Sequence, residues 1–130
     1  MTFEREGMLS VWVGSFDSEQ DLLAYVEWTY DEDGEAMCPF AIDSGLGWFD
    51  HDFQEANYIR SPLTPPHDAL AGHSYLESFQ DAVAAALEQQ DRQTWNSLFL
   101  LYDCVYDPGQ ARPSAACRFR FVGVFRYSQG

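Results

Sequence analysis

The sequence predicts a single α+β domain spanning residues 1–130: a small, mostly antiparallel sheet with a C-terminal strand pair packed against two main helices. Three observations carry that reading. The last third holds two aromatic and β-branched runs, residues 95–106 and 117–127, separated by a Pro/Gly loop at 107–113. Residues 18–29 and 73–90 repeat apolar side chains at helical spacing. The chain has 130 residues, of which 46% are hydrophobic and 16% aromatic, enough to pack one core and too many for global disorder.

Taken in order, residues 8–14 (MLSVWVG) read as a short, largely buried strand ending at a glycine. Asp17 and Ser18 then offer helix N-caps, with Ser18 and Asp21 in capping-box spacing. Leu22, Leu23, Tyr25, Val26 and Thr29 place an amphipathic helix over 18–29. Residues 30–35 (YDEDGE) form an acidic turn around Gly34, and residues 39–49 suggest a short strand and turn around Gly45 and Gly47. Residues 50–58 fit either a single helical turn or an ordered loop.

The three prolines of residues 61–66 interrupt regular structure. This stretch reads as an internal loop rather than a linker, since neither flank is able to fold alone. Leu76, Phe79, Val83 and Leu87 form the stripe of the helix over 73–90, whose Ala-rich middle favours helix and whose start places Ser74 and Glu77 as a capping box. In the last run, alternation puts Cys117, Phe119, Phe121, Phe125 and Tyr127 on one face. Arg118, Arg120, Arg126, Val122 and Val124 take the other. The two C-terminal runs are expected to pair with each other, and the N-terminal strand and two helices complete the domain.

Charge is the outlier. Twenty-one acids face seven basic residues, all arginine, for a formal net of −14. Residues 1–60 hold 14 acids and two arginines, whereas residues 61–130 hold seven acids and five arginines. No acid follows Asp107, while Arg112, Arg118, Arg120 and Arg126 do. This balance argues against direct binding to nucleic acid or an anionic membrane, which needs cationic side chains against phosphates. It suits a basic protein partner, a metal ion, or plain solubility. Three cysteines (38, 104 and 117) without a C-x-x-C pair make a poor disulfide framework and a poor zinc site, and fit free thiols in a reducing cytosol. No signal peptide is visible at the N-terminus, and the apolar runs fall short of the roughly 18 residues of a membrane helix. A soluble cytoplasmic protein is expected.

The densest polar cluster is Asp43, Asp50, His51, Asp52 and Glu55. Carboxylates around an imidazole are able to hold a divalent metal or act as acid and base, so a small metal-dependent hydrolase using Asp50, His51, Asp52 and Glu55 is one reading. The spacing matches no calcium loop and no H-E-x-x-H motif. An acidic loop whose aspartates cap turns and face water is the plainer alternative, and a protein-binding acidic loop is the third. The four acids of residues 30–35 read as a solvated turn, or as a steering surface for a basic protein. Tyr30, Trp48, Phe49, Phe53 and Tyr58 lie near these acids in sequence and add candidate anchors. As large aromatics, Trp48 and Phe53 are each expected to be buried.

Nucleophilic and phosphate-binding chemistry find no support. No G-x-S-x-G elbow accompanies His51, His67 or His73, and Gly45-Leu46-Gly47 lacks both a third glycine and a following lysine. The arginine face of the last strand reads as a solvent face, with pairing to the acidic half as the alternative.

A longer pattern then stands out. Val11-Trp12-Val13-Gly14, Ser18-Glu19 opening a helix with Tyr25, Asp43, and Phe49-Asp50-His51-Asp52-Phe53-x-Glu55 follow one another. Ser74-Tyr75 with Phe79, Leu101-Tyr102-Asp103 with Tyr106, and Phe121-x-Gly123-x-Phe125-x-Tyr127 continue it. From about Leu9 to Tyr127, this order and spacing resembles the immunity protein 22 family of bacterial polymorphic toxin systems. The Trp-x-Gly strand and the Asp-x-Asp-Phe-x-Glu segment are its most specific parts. Phe49 departs from the family pattern, which has Tyr there, so no role for that hydroxyl carries over.

The resemblance implies a non-enzymatic cytoplasmic protein, without cofactor, that binds and neutralises a cognate toxin, a basic one and a nuclease among the candidates. Joined to the charge pattern, it points to Asp31, Glu32, Asp33, Asp43, Asp50, Asp52 and Glu55 as charge complements and to Tyr30 and Trp48 as aromatic anchors. An acidic adaptor or DNA mimic that inhibits a basic host protein is the further alternative.

Overall fold

The computed structural model describes residues 3–129. In chain order it contains β1 (Glu4–Gly14), α1 (Glu19–Val26), β2 (Thr29–Tyr30), β3 (Ala36–Met37), α2 (Pro39–Ser44), β4 (Gln54–Tyr58), α3 (Pro66–Ala69), α4 (Gln80–Glu88), β5 (Ser97–Cys104), α5 (Pro108–Ala111) and β6 (Phe119–Arg126). Four strands form one antiparallel sheet in the order β4-β5-β1-β6, and β2 and β3 make a separate small hairpin. The expected α+β fold is therefore present.

The two C-terminal strands do not pair with each other as expected; β1 lies between them. Residues 9–14 of β1 are all buried, so this strand needs a neighbour on each side and cover on each face. The long segment from Val105 to Arg118, with α5 inside it, lets the chain cross β1 before β6 begins.

Each face of the sheet has its own core. On one, Leu9, Val11, Val13, Leu98 and Leu100 pack beneath Leu70, Phe79, Val83 and Leu87 of the α3–α4 layer. On the other, Trp12, Phe99, Leu101 and Phe119 pack beneath Leu22, Tyr25 and Val26 of α1 and Phe40 and Ala41 of α2. This second core is aromatic: Trp12 meets Phe40 edge-on at 5.2 Å, and Phe40 lies 4.8 Å from Phe99. Fully burying one Leu- or Phe-sized side chain stabilises the fold by about 1.5–3 kcal/mol, so both layers are firmly fixed to the sheet.

The face expected for the last strand is split. The β1–β6 register passes from Val11 opposite Gly123 to Trp12 opposite Phe121, leaving Val122 as an extra residue. One inserted residue reverses the side-chain parity. Phe119 and Phe121 consequently join the aromatic core, while Val122, Phe125 and Tyr127 join the other. Gly14 pairs with Phe119 here, and a Cβ on it would stand 2.8 Å from the Arg118 carbonyl oxygen.

Several element boundaries also move. The helix expected over 18–29 starts as expected, with Asp21 N–H donating to Ser18 Oγ at 3.1 Å, but stops at Val26; Thr29 pairs with Met37 in the hairpin. Residues 39–44 are α2 rather than a strand, with Pro39 in its first turn and Gly45 ending it at φ +78°. Residues 50–58 contain both a short helical turn, His51–Phe53, and the strand β4. Of the helix expected over 73–90, only α4 is regular. Tyr75 is left-handed at φ +59°, and Ser74 donates to Glu55 instead of capping with Glu77. The stripe itself holds, with Phe79, Val83 and Leu87 buried.

Candidate functional site

The acidic turn is the tip of the β2–β3 hairpin. Asp31 builds it: its Oδ1 accepts from Asp33 N–H and Glu35 N–H, both at 2.9 Å, and Gly34 closes the turn at φ +82°. Asp31, Glu32, Asp33 and Glu35 are all exposed, and Tyr30 is 64% exposed beside them. This places the predicted residues 30–33 together on the surface.

Asp43 and Glu55 face inward instead. The Tyr25 hydroxyl donates to Asp43 Oδ2 at 2.8 Å and accepts from Arg118 N–H at 2.9 Å, while the Asp43 carbonyl accepts from Ser114 N–H at 2.7 Å. These bonds join α1, α2 and the segment before β6. Glu55 lies at the other face of β4. Its Oε2 accepts from the Ser74 hydroxyl at 2.6 Å, and its Oε1 accepts from Ser74 N–H at 3.0 Å and from the Tyr102 hydroxyl at 2.9 Å. His73 Nδ1 lies 3.0 Å from the same Oε1, and its Nε2 lies 2.7 Å from Asn57 Oδ1. Burial raises the Glu55 pKa, but the hydrogen bonds from Ser74, His73 and Tyr102 together outweigh it and leave the carboxyl below its ordinary value. Burial, and then the charge of Glu55, raises the Tyr102 pKa.

This geometry bears on two chemical readings. Ser74 and His73 both address the Glu55 carboxylate rather than each other, so a base-activated serine is not assembled. The proposed metal quartet of Asp50, His51, Asp52 and Glu55 does not converge either. Asp50 Oδ1 caps its own helical turn by accepting from Asp52 N–H at 3.0 Å, Asp52 is exposed beside His51, and Glu55 is committed to Ser74, His73 and Tyr102. Among the described residues no group of three or more His, Cys, Asp or Glu is placed to hold a metal ion.

Trp48 and Phe53 are the main surprise. Both were expected in the core, yet they are 65% and 43% exposed. Gly45 and Gly47, at φ +78° and +70°, turn the chain out of α2, and Phe49 takes the inward place. Its ring meets Trp28 edge-on at 5.0 Å and lies 6.5 Å from Phe40. Trp48 and Phe53 instead line an open groove of about 680 Å³ between residues 3–6, the 46–53 segment and the end of β5. Asp50 and Tyr102 lie on the same groove, as do Glu4, Arg5 and Glu6, to which the sequence assigned no role. Residues 3–7 (FEREG) lack apolar alternation, so β1 was expected to start at residue 8 and these side chains had no assigned place.

Arg118, just before the last strand, and Arg120 within it take neutral partners. Arg118 lies over the Phe16 ring at 4.1 Å and donates to the Ser15 carbonyl, and Arg120 donates to Gln90 and Thr94. In the acidic half, Arg60 pairs with Glu19 at 3.0 Å. Cys38, Cys104 and Cys117 are free thiols, the first two buried and the third half-buried. Among the described residues, no helix is long and apolar enough to cross a membrane.

No curated protein and no solved structure matches the chain. A family model does: the one described as Immunity protein 22 matches residues 9–128, which takes in both cores and both carboxylate clusters. Proteins of this family are toxin-neutralising immunity proteins of polymorphic toxin systems and are typically non-catalytic. With the match running from the start of the buried part of β1 to just past β6, the chain belongs to the immunity protein 22 family.

Proposed function

We propose that this chain protects the cell that makes it by holding a basic cognate toxin in a stoichiometric cytoplasmic complex, through an acidic surface on its N-terminal half. One observation supports this above others: Tyr30, Glu32, Asp33, Trp48 and Asp52 are all exposed within the half that carries 14 of the 21 acids. Exposed aromatics supply contact area, and the surrounding charge accelerates encounter and fixes register. Asp31 and Asp50 each hold a turn of their own in the same half. Asp43 and Glu55 add to the field from inside the framework.

A nuclease suits the partner best. Such a toxin must present a positive surface to phosphates, and an acidic inhibitor competes for that surface or its flank. Nuclease–immunity pairs reach the tightest non-covalent affinities known, so blockade without chemistry is sufficient.

Stopped-flow association with a toxin domain sought in the reading frames neighbouring this chain's tests the mechanism. Reversing Asp33 and Asp52 to Lys is expected to slow association by roughly tenfold at low salt. The difference should shrink near 0.5 M salt, where the Debye length is about 4 Å. An association rate unmoved by both the reversals and the salt removes the acidic surface from the mechanism.

A further inference from the structure

We infer that the groove between residues 3–6, the 46–53 segment and the end of β5 seats an arginine-bearing loop of the protein partner. The inference rests on the immunity reading above and deepens it by naming where, and by what chemistry, the partner is held. At about 680 Å³ the groove falls in the size range of pockets that take up small ligands or a few side chains. Its floor is rigid. Leu101, Tyr102 and Cys104 are each at most 5% exposed, and Tyr102 is tied to Glu55 and to the Ser74 carbonyl. A preformed floor lowers the ordering cost of binding.

The walls define the occupant. Trp12 and Trp95 of this chain are 1% and 2% exposed, whereas Trp48 on the groove is 65% exposed and Phe53 is 43% exposed. Two large aromatics held out of otherwise aromatic-rich packing provide an apolar contact surface. Around them the lining holds four acids (Glu4, Glu6, Asp50 and Asp103) and one arginine, a formal charge of −3. Asp103 is already held by Gly7 N–H and the Tyr127 hydroxyl, but a purely apolar occupant, such as the leucine face of a helix, would bury the Glu6 and Asp50 carboxylates without supplying a compensating charge. A phosphate-bearing ligand would be repelled. A guanidinium answers both features: its plane stacks on Trp48, and its donors reach the carboxylates. A lysine ammonium meets the charge but stacks less well, so arginine is preferred.

The probe is an acetylated, amidated tri-arginine peptide titrated into the intact protein, followed by tryptophan emission and by backbone amide shifts. Saturable binding that perturbs Trp48 emission and the amides of residues 3–6 and 46–53 supports the site, provided Trp48→Phe abolishes the emission change. Tri-lysine should bind more weakly. The pair Glu6→Gln and Asp50→Asn should weaken binding roughly three- to tenfold. Asn at position 50 keeps the oxygen that caps the turn, so folding is preserved. Neutralising the hairpin tip, Asp31→Asn with Glu32→Gln and Asp33→Asn, should leave binding within about twofold, since the tip is outside the groove. Equal weakening by both sets, or shifts spread over the whole acidic surface, overturns the groove as a defined site.

The toxin arm separates the two proposals. A toxin complex that forms with the wild type and is unchanged by Glu6→Gln and Asp50→Asn overturns the groove and leaves the immunity reading standing. A wild-type chain that fails to bind the neighbouring toxin overturns the cognate-toxin reading. In that case the groove's preference for arginine is decided by the peptide alone.

Discussion

Glu55 and Glu32 belong to the same acidic half of the chain and face opposite environments. Glu55 accepts from Ser74 twice and from Tyr102, and also contacts His73, bridging β4 to the segment that leads into α4 and to β5. Glu32 lies exposed at the tip of the β2–β3 hairpin, whose turn is organised by its neighbour Asp31. Asp43 belongs with Glu55, held by Tyr25, and Asp33 belongs with Glu32. Local density of acids therefore says little about what an acid does. What the fold places against each carboxylate decides whether it fastens the structure or charges its surface, and the two kinds should respond to substitution with opposite sign.

The hardest blow to the inward kind is struck through Gly45. It ends α2 at φ +78°, just after Asp43, and a Cβ there would stand 2.0 Å from the Ala111 carbonyl oxygen. Gly45→Ala is expected to cost about 3 kcal/mol or more, because the strained dihedral and a backbone clash add together. Gly47→Ala is the matched control. Its φ is +70°, but nothing lies within 4 Å of the added carbon, so it should cost only about 1–2 kcal/mol. Urea midpoints for the two variants measure the difference. Equal losses would mean that the contact with the α5 segment contributes nothing to the Asp43 framework.

Glu55→Gln comes next. It removes the charge from three accepted hydrogen bonds, which should cost about 1–3 kcal/mol at neutral pH. The pH dependence has a definite sign. The folded-state pKa of Glu55 is lowered, so its stabilisation is complete above the unfolded value near 4.3 and is lost as pH falls through the lower folded value. The stability gap between wild type and variant should accordingly stay level from about pH 8 to 5 and close below about pH 4. A gap that persists undiminished into acid would assign the effect to packing rather than to the carboxylate.

The same contrast marks what was legible in the amino-acid sequence. Burial was readable where apolar residues ran together or followed a helical period: the VWV core of β1, the apolar run that became β5, and the Phe79–Val83–Leu87 stripe are all buried as expected. β4 was not readable, because QEANY is polar, half-buried and carries no alternation. The order of the sheet was hidden as well, since pairing depends on which strand is buried on both faces, a property of the whole fold. A single extra residue at Val122 then redirected half of the last strand. Around the groove, the two glycines before Trp48 were visible, but not that they would turn it outward and leave half-buried Phe49 packed against the core. Glu55 was singled out for its neighbours in sequence, whereas its partners Ser74 and Tyr102 lie 19 and 47 residues away.

The smallest effect is the most diagnostic one. Asp33→Asn with Glu32→Gln removes two charges from an exposed tip and leaves the Asp31 turn intact, so no framework bond is lost. In a chain of net charge −14, each surface acid is repelled by the others, and neutralising two of them relieves part of that repulsion. Stability should therefore stay level or rise, by about 0.5 kcal/mol or less, where the inward substitutions lower it. Salt provides the second axis. Added NaCl screens the same repulsion, so wild-type stability should rise with salt and the advantage of the neutralised variant should fade toward about 1 M, where the Debye length is roughly 3 Å. Thermal melts across a salt series read both trends. A loss of stability in the neutralised variant would place Glu32 or Asp33 among the acids that fasten the fold, and the division between inward and outward carboxylates would have to be redrawn at the hairpin.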